Sequence, residues 1–206
     1  MGYRWTKTNA LMTAMRRSRV LPYWLNWRGV LCSVLIICTI GLWGCQPQAT
    51  PSGFLTKVDQ VYSGQSLSVL DPLPVDAEDK VYKIRLAGID APDLKQAPWG
   101  EVAKAALWTW VNDSCRDRTL SIELPSQATP DAYGRVWAYV WCDGQLANEQ
   151  LVFNGHAIAQ LDAIDDRNLT YQAQLSRAQD HARLAGLGIW NPAQPMRSTP
   201  AEFRQQ

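Results

Sequence analysis

Short segments rich in β-branched and aromatic residues, set off by Gly, Pro, Ser and Asp, dominate the middle of the chain. Thr56–Tyr62 and Leu67–Leu70 read as strands flanking Ser63-Gly64-Gln65-Ser66, and Val81–Ile89 reads as a third. Thr119–Leu124 and Arg135–Trp141 read as two more, facing each other across the loop 125–134. Between these runs the apolar spacing changes to that of helices. Trp99–Val111 has Val102, Ala106 and Trp110 on one face, Gln145–Phe153 is stopped by Asn154-Gly155, and Asn168–Ala185 ends at Gly186 and Gly188. Five short strands interleaved with three helices predict an α+β domain: a five-stranded Greek-key barrel of the OB type with about three helices packed on it.

The pattern before residue 54 is of another kind. Residues 1–45 contain Arg4, Lys7, Arg16, Arg17, Arg19 and Arg28 without one acid, then an apolar run from Gly29 to Cys45. Basic, then apolar, then small is the order of an export signal, and the basic end stays on the cytoplasmic side. Leu42-Trp43-Gly44-Cys45 resembles a bacterial lipobox, in which the cysteine is lipidated, although Trp43 stands where a small residue is usual. An uncleaved anchor helix is the alternative, and about 20 apolar residues suffice to cross a bilayer. Either way residues 1–45 are expected to tether an exported protein to the bacterial cell envelope, at the periplasm or cell surface. A polar linker, 46–53, leads to the folded domain, 54–192, of ordinary single-domain size, and a polar tail, 193–206, follows.

Charge narrows the function. Taking the six basic residues of the leader from the chain's 20 leaves 14 against all 19 acidic ones, a net charge of about −5 for the rest. Tight non-specific nucleic-acid binders normally carry a basic face, so any nucleic-acid contact has to rely on a local basic cleft. Of five cysteines, Cys32, Cys38 and Cys45 belong to the apolar segment, leaving Cys115 and Cys142 in the domain. In an oxidising compartment, with the strands 119–124 and 135–141 paired as a hairpin, these two would lie opposite each other as a disulfide; two buried free thiols are the alternative.

The candidate chemistry sits at strand ends. Ile84-Arg85-Leu86-Ala87-Gly88-Ile89-Asp90-Ala91-Pro92-Asp93 sets one arginine in an apolar run that ends in a turn bearing Asp90 and Asp93. Asp131-Ala132-Tyr133-Gly134-Arg135 brings a second arginine to the mouth of the next strand pair. Guanidinium groups converging with hard oxygen ligands suit a phosphodiester and a divalent cation. A sugar hydrolase using Asp90 and Asp93 as paired carboxylates would leave both arginines without a role. His156 and His181, the two histidines, have no Cys, His or Asp at zinc-ligand spacing and read as packing or surface positions. Trp108, Trp110 and Trp137 are spaced for core packing, and the acidic run Asp162, Asp165 and Asp166 reads as a solvated loop.

With these residues in place, the chain resembles the thermonuclease family. The matching pieces are Arg85-Leu86-x-Gly88-Ile89-Asp90-Ala91-Pro92, Tyr133-Gly134-Arg135 with Ala138-Tyr139-Val140, Asp143-Gly144, Asn148-Glu149-x-Leu151-Val152 and Leu187-Gly188-Ile189-Trp190. They follow the family's order. The resemblance implies a calcium-dependent phosphodiesterase on an OB barrel, acting on single-stranded or unstructured DNA or RNA, as a monomer. It makes Arg85 and Arg135 the phosphate clamps, Asp90 a calcium ligand, Ala91 a backbone-carbonyl ligand, and Asp93 the carboxylate that activates water. Tyr133, in the second motif, and Trp99, beside the first turn, are expected to face the substrate.

Three positions depart from the family. Asp93 stands for a glutamate, about 1.5 Å shorter in reach. Gln65 takes the place of a second calcium carboxylate, which removes one negative charge from the cation site. Leu161 and Ala163 stand where tyrosines line the nucleotide pocket, weakening base stacking. Two functions follow: an exported, membrane-tethered nuclease, or a catalytically silent OB module that binds nucleic acid, oligosaccharide or protein.

Overall fold

The computed structural model describes residues 53–125, 128–160 and 171–206. The leader with Cys45, most of the 46–53 linker, and Leu161 and Ala163 lie outside the described residues. Strand β1, Phe54–Ser63, buries Thr56, Val58 and Val61 and exposes Leu55, Lys57 and Asp59. Its alternation slips at Asp59-Gln60, both exposed, where the pairing register with β2, Ser66–Val69, shifts by one residue. A bulge there sharpens the twist that a small barrel needs.

Strand β3, Lys83–Leu86, pairs with β2 on one side and, in parallel, with β6, Arg135–Cys142, on the other. Strand β5, Thr119–Glu123, joins β6 back to β1. The circuit β1-β2-β3-β6-β5 is a closed five-stranded OB-like barrel, extended beyond β6 by β7, Gln145–Leu146. Asp143 and Gly144 take positive φ of 46° and 77°, the geometry of a tight hairpin turn between β6 and β7. Leu67, Ile84, Leu86, Leu120, Val136, Ala138 and Val140 have no measurable exposure and fill the interior.

The expected strand 81–89 is interrupted. After β3 the chain turns at Gly88, φ +72°, and Ile89–Asp90 becomes β4, which pairs with β8, Ile158–Ala159, in a separate ribbon. A side chain at Gly88 would lie 2.7 Å from Leu175 Cδ1, so packing and backbone both require glycine. This break turns Asp90 out of the barrel wall.

Helix α1, Trp99–Ser114, buries Gly100, Ala103, Leu107 and Val111 instead of the expected Val102 face, and Val102 is 42% exposed. Small residues prevail on that face because α1 lies close against the β1–β2 turn: a Cβ on Gly64 would sit 2.5 Å from the Ala103 methyl. Helix α2, Ala147–Phe153, begins two residues later than the periodicity suggests, because Gln145 and Leu146 pair with β6. Helix α3, Gln172–Ala185, closes on Gly186 in the left-handed conformation, and its buried Gln179 accepts the Ala159 N–H at 3.0 Å. A short α4, Pro200–Phe203, lies in the C-terminal tail. Cys115 and Cys142 form a disulfide with Cα atoms 5.5 Å apart, tying the end of α1 to the end of β6. Among the described residues no helix is long and apolar enough to cross a membrane.

Candidate active site

Strand pairing fixes Arg85. It lies opposite Ser66 of β2 and Trp137 of β6, and is 8% exposed. Its guanidinium stacks over the Trp137 ring, 4.7 Å from the centroid. One nitrogen lies 3.6 Å from Asp90 Oδ1, an ion pair too long for a hydrogen bond. Burial pulls the Arg85 pKa down; the Asp90 charge opposes this, and the positive charges of Arg135 and Arg204 add to the lowering. Arg85 and Arg204 thus both face the Asp90 carboxylate, and Arg135, on the strand next to Arg85, is near enough for its charge to act on Arg85.

The second arginine is built by its own turn. Asp131 Oδ1 accepts the backbone N–H groups of Tyr133 and Arg135 at 2.9 and 3.0 Å, and Gly134 takes φ +69° to close the loop. Asp131 Oδ2 then receives Arg135 Nε at 2.9 Å and Nη2 at 2.7 Å, a two-pronged grip. Burial pushes the Asp131 carboxyl up, but the bonds from Arg135 and Tyr133 outweigh it and hold the group below the usual carboxylate range. The Arg135 guanidinium lies 4.9 Å from the ring centroid of Tyr133, which is 75% exposed. An aromatic face and a positive charge thus stand together at the surface.

Gln65 and Ala91 meet: Gln65 Oε1 accepts the Ala91 N–H at 2.7 Å in a buried contact. The amide oxygen expected at a cation instead holds the β1–β2 turn to the Asp90 loop. Asp93 is half-buried, and its Oδ1 caps its own turn by accepting the Lys95 N–H at 2.9 Å. Trp99, also half-buried, opens α1 six residues further on. Arg85, Asp90, Ala91 and Gln65 are therefore one cluster, with the Tyr133–Arg135 group beside it through Arg135.

As arranged, these side chains do not form a calcium cage. Calcium takes six to eight oxygens. Asp90 Oδ2 is occupied by Arg204 Nη2 at 2.6 Å, Gln65 Oε1 by a peptide N–H, and only the buried Oδ1 of Asp90 is without a hydrogen-bond partner. Among the described residues no three acidic, histidine or cysteine side chains converge on a common point.

A family model described as "Staphylococcal nuclease homologue" matches residues 83–192, just over half of the chain, a range that includes Arg85, Asp90, Asp93 and Arg135. The chain belongs to this family. It is 32% identical over 126 residues to a probable staphylococcal-like nuclease of Oryza sativa, covering 61% of this chain and 33% of that one. It is 26% identical over 145 residues to a thermonuclease of Staphylococcus hyicus, covering 68% and 81%. A protein of Haemophilus influenzae named an uncharacterized endonuclease is 26% identical over 182 residues, covering 88% of each. The chain spans about a third of the length of the plant relatives it matches.

Two contributors escape a reading of motifs, and a third lies in a motif that gave no hint of its role. Arg204 lies 114 residues from Asp90 in a tail with no apolar period. Trp137, read as core, carries the Arg85 guanidinium on its face. Asn148, fully buried, accepts the Val140 N–H at 3.1 Å and donates to Ala87 O at 2.7 Å, clasping β6 to the turn before Gly88. Asn148 belongs to the matched piece Asn148-Glu149-x-Leu151-Val152, but only the structure shows the clasp it makes.

Proposed function

We propose that this protein is a phosphodiesterase that hydrolyses DNA or RNA, tethered to the bacterial cell envelope by residues 1–45. The observation that carries the reading is the buried Arg85 beside Asp90, with Arg135 close enough to depress its pKa. Like charges are gathered at a cost unless an anion of matching geometry binds between them. A phosphodiester fits: two planar forks bind its non-bridging oxygens and stabilise the charge added when water attacks phosphorus. Asp93 takes the proton from that water, one ester P–O bond breaks, and the departing oxygen takes a proton from solvent. Tyr133 offers its exposed ring to a base or sugar next to the clamp, and the half-buried Trp99 stands beside the Asp93 turn.

The names of the bacterial and plant relatives support the same chemistry, and the leader's basic-then-apolar order ending at Cys45 supports the tether. A second reading, a binding module that does not cut, draws on one observation: the Asp90 charge is already met by Arg204. Cleavage of fluorescent single-stranded DNA by the full-length chain, across a calcium series, separates them. The nuclease reading expects a rate that drops about 10²- to 10³-fold in Arg85→Ala. No cleavage at any calcium level, or a rate untouched by that change, leaves only the binding module.

A further inference from the structure

The C-terminal tail is polar, yet its course is fixed. Gln96 Nε2 donates to Ser198 O at 2.7 Å, fastening the tail to the turn after Asp93. Thr199 then caps α4: its Oγ1 accepts the Glu202 N–H at 3.2 Å while Glu202 Oε2 accepts the Thr199 N–H at 2.7 Å. Pro200 is buried in the first turn, where its missing N–H costs nothing. Four residues on, Arg204 Nη2 donates to Asp90 Oδ2 at 2.6 Å. The Arg204 side chain is 41% exposed, and a guanidinium has five N–H donors, so the bond to Asp90 leaves donors for a second acceptor.

The charges gathered around Arg85 do not cancel. Asp131 grips Arg135, which leaves the Asp90 carboxylate alone to face both Arg85 and Arg204. Three guanidinium groups thus meet two carboxylates, an excess of one positive charge. A phosphodiester carries one negative charge and matches that excess. A calcium ion would add two positive charges to it, at a turn where Asp90 Oδ2 and Gln65 Oε1 are already engaged. We propose that Arg204 is a third phosphate-binding guanidinium that takes the place of a divalent cation, so that this site cuts without metal. The inference rests on the nuclease reading and adds to it the source of the third positive charge. In this role Arg204 forms and breaks no covalent bond. It donates N–H groups to a non-bridging oxygen whose negative charge grows as water attacks phosphorus. Asp90 positions it, and the Thr199 cap fixes the short helix from whose end it reaches.

Two measurements on the full-length chain test it: cleavage of fluorescent single-stranded DNA in EDTA and in calcium chloride, and binding of a cleavage-resistant phosphorothioate single strand in EDTA. The expected result is the same cleavage rate in both solutions, and a rate about 10²-fold lower in Arg204→Gln. Binding should also become less sensitive to salt in that variant. The slope of log K against log salt should fall by about 0.7, the value of one phosphate contact on a single strand, while Arg204→Lys keeps the wild-type slope. Cleavage that requires calcium overturns the proposal and leaves the nuclease reading standing. So does a rate or a slope unmoved in Arg204→Gln; a lower rate with an unmoved slope marks the arginine as a structural tie to Asp90. A chain that cuts in neither solution rejects the nuclease reading, and the proposal with it.

Discussion

Asp131 does more for Arg135 than a nearby charge would. Its two oxygens hold the backbone of the turn and the guanidinium of the arginine together, so the position of one depends on the other. Replacing it by asparagine keeps an oxygen for the backbone but removes the charge-assisted grip on Arg135. The expected outcome is a loss of DNA cleavage of about 10- to 10²-fold, the range that follows from misplacing a clamp by about an ångström, with an unchanged circular dichroism spectrum. The same bonds give a pH signature. Because the folded carboxyl sits below its ordinary value of 3.8, its contribution to stability is present above that pH. It disappears as acid drives the pH through the lower folded value, and Asp131→Asn removes that part of the acid transition. Both arginines and Asp90 were legible in the chain because their spacing around glycine turns is local. Asp131 was visible as part of the same turn, but its double role emerges only once Gly134 closes the loop.

At the level of elements, what could be read depended on length. Long segments such as β6 and α1 can be recognised as strand and helix, whereas β4 and β8 have two residues each and no period at all. The break after β3 is what aims Asp90, and only the pairing of Asp90 with Ile158 reveals it. The face of α1 was misread for a different reason. Its buried stripe begins with Gly100 and Ala103, residues chosen for close approach and not for hydrophobic area. Gly100 makes this testable, since a Cβ there would lie 2.0 Å from the carbonyl oxygen of Asp93. Backbone cannot yield as a side chain can, so Gly100→Val is expected to destabilise the fold by about 1–3 kcal/mol in urea titration. It should also lower cleavage more than stability alone explains, because the turn carrying Asp93 must shift. A variant with wild-type stability and wild-type rate would show that the helix start and the Asp93 turn are not in contact.

The whole molecule is held by ties between distant segments that leave little trace in sequence. Arg204 closes on Asp90 across most of the domain, and the Cys115–Cys142 bridge spans 27 residues, a loop whose closure contributes about 3–4 kcal/mol in chain-entropy terms. Neither has a periodic pattern; the bridge was inferable because only two cysteines belong to the domain, and the arginine was one of many. His156 supplies a global measure of the packing between these ties. It lies beside a groove between α1 and α2, lined also by Trp110, Asp113 and Asn154, where burial pulls its pKa below the ordinary 6.5. In the folded state the imidazole is therefore neutral over a range in which the unfolded chain already binds a proton. Stability is complete above about pH 6.5 and falls as the pH drops from there to the lower folded value, after which this contribution is constant. The window lies well above that of Asp131, so the two are separable in one titration. Thermal melts between about pH 7.5 and 5.5 should show the wild type losing a few degrees. His156→Gln, which cannot titrate, should flatten that slope while leaving the acid transition below pH 4 intact. An identical slope in the variant would mean that the imidazole is exposed to solvent and that α1 and α2 do not close over it.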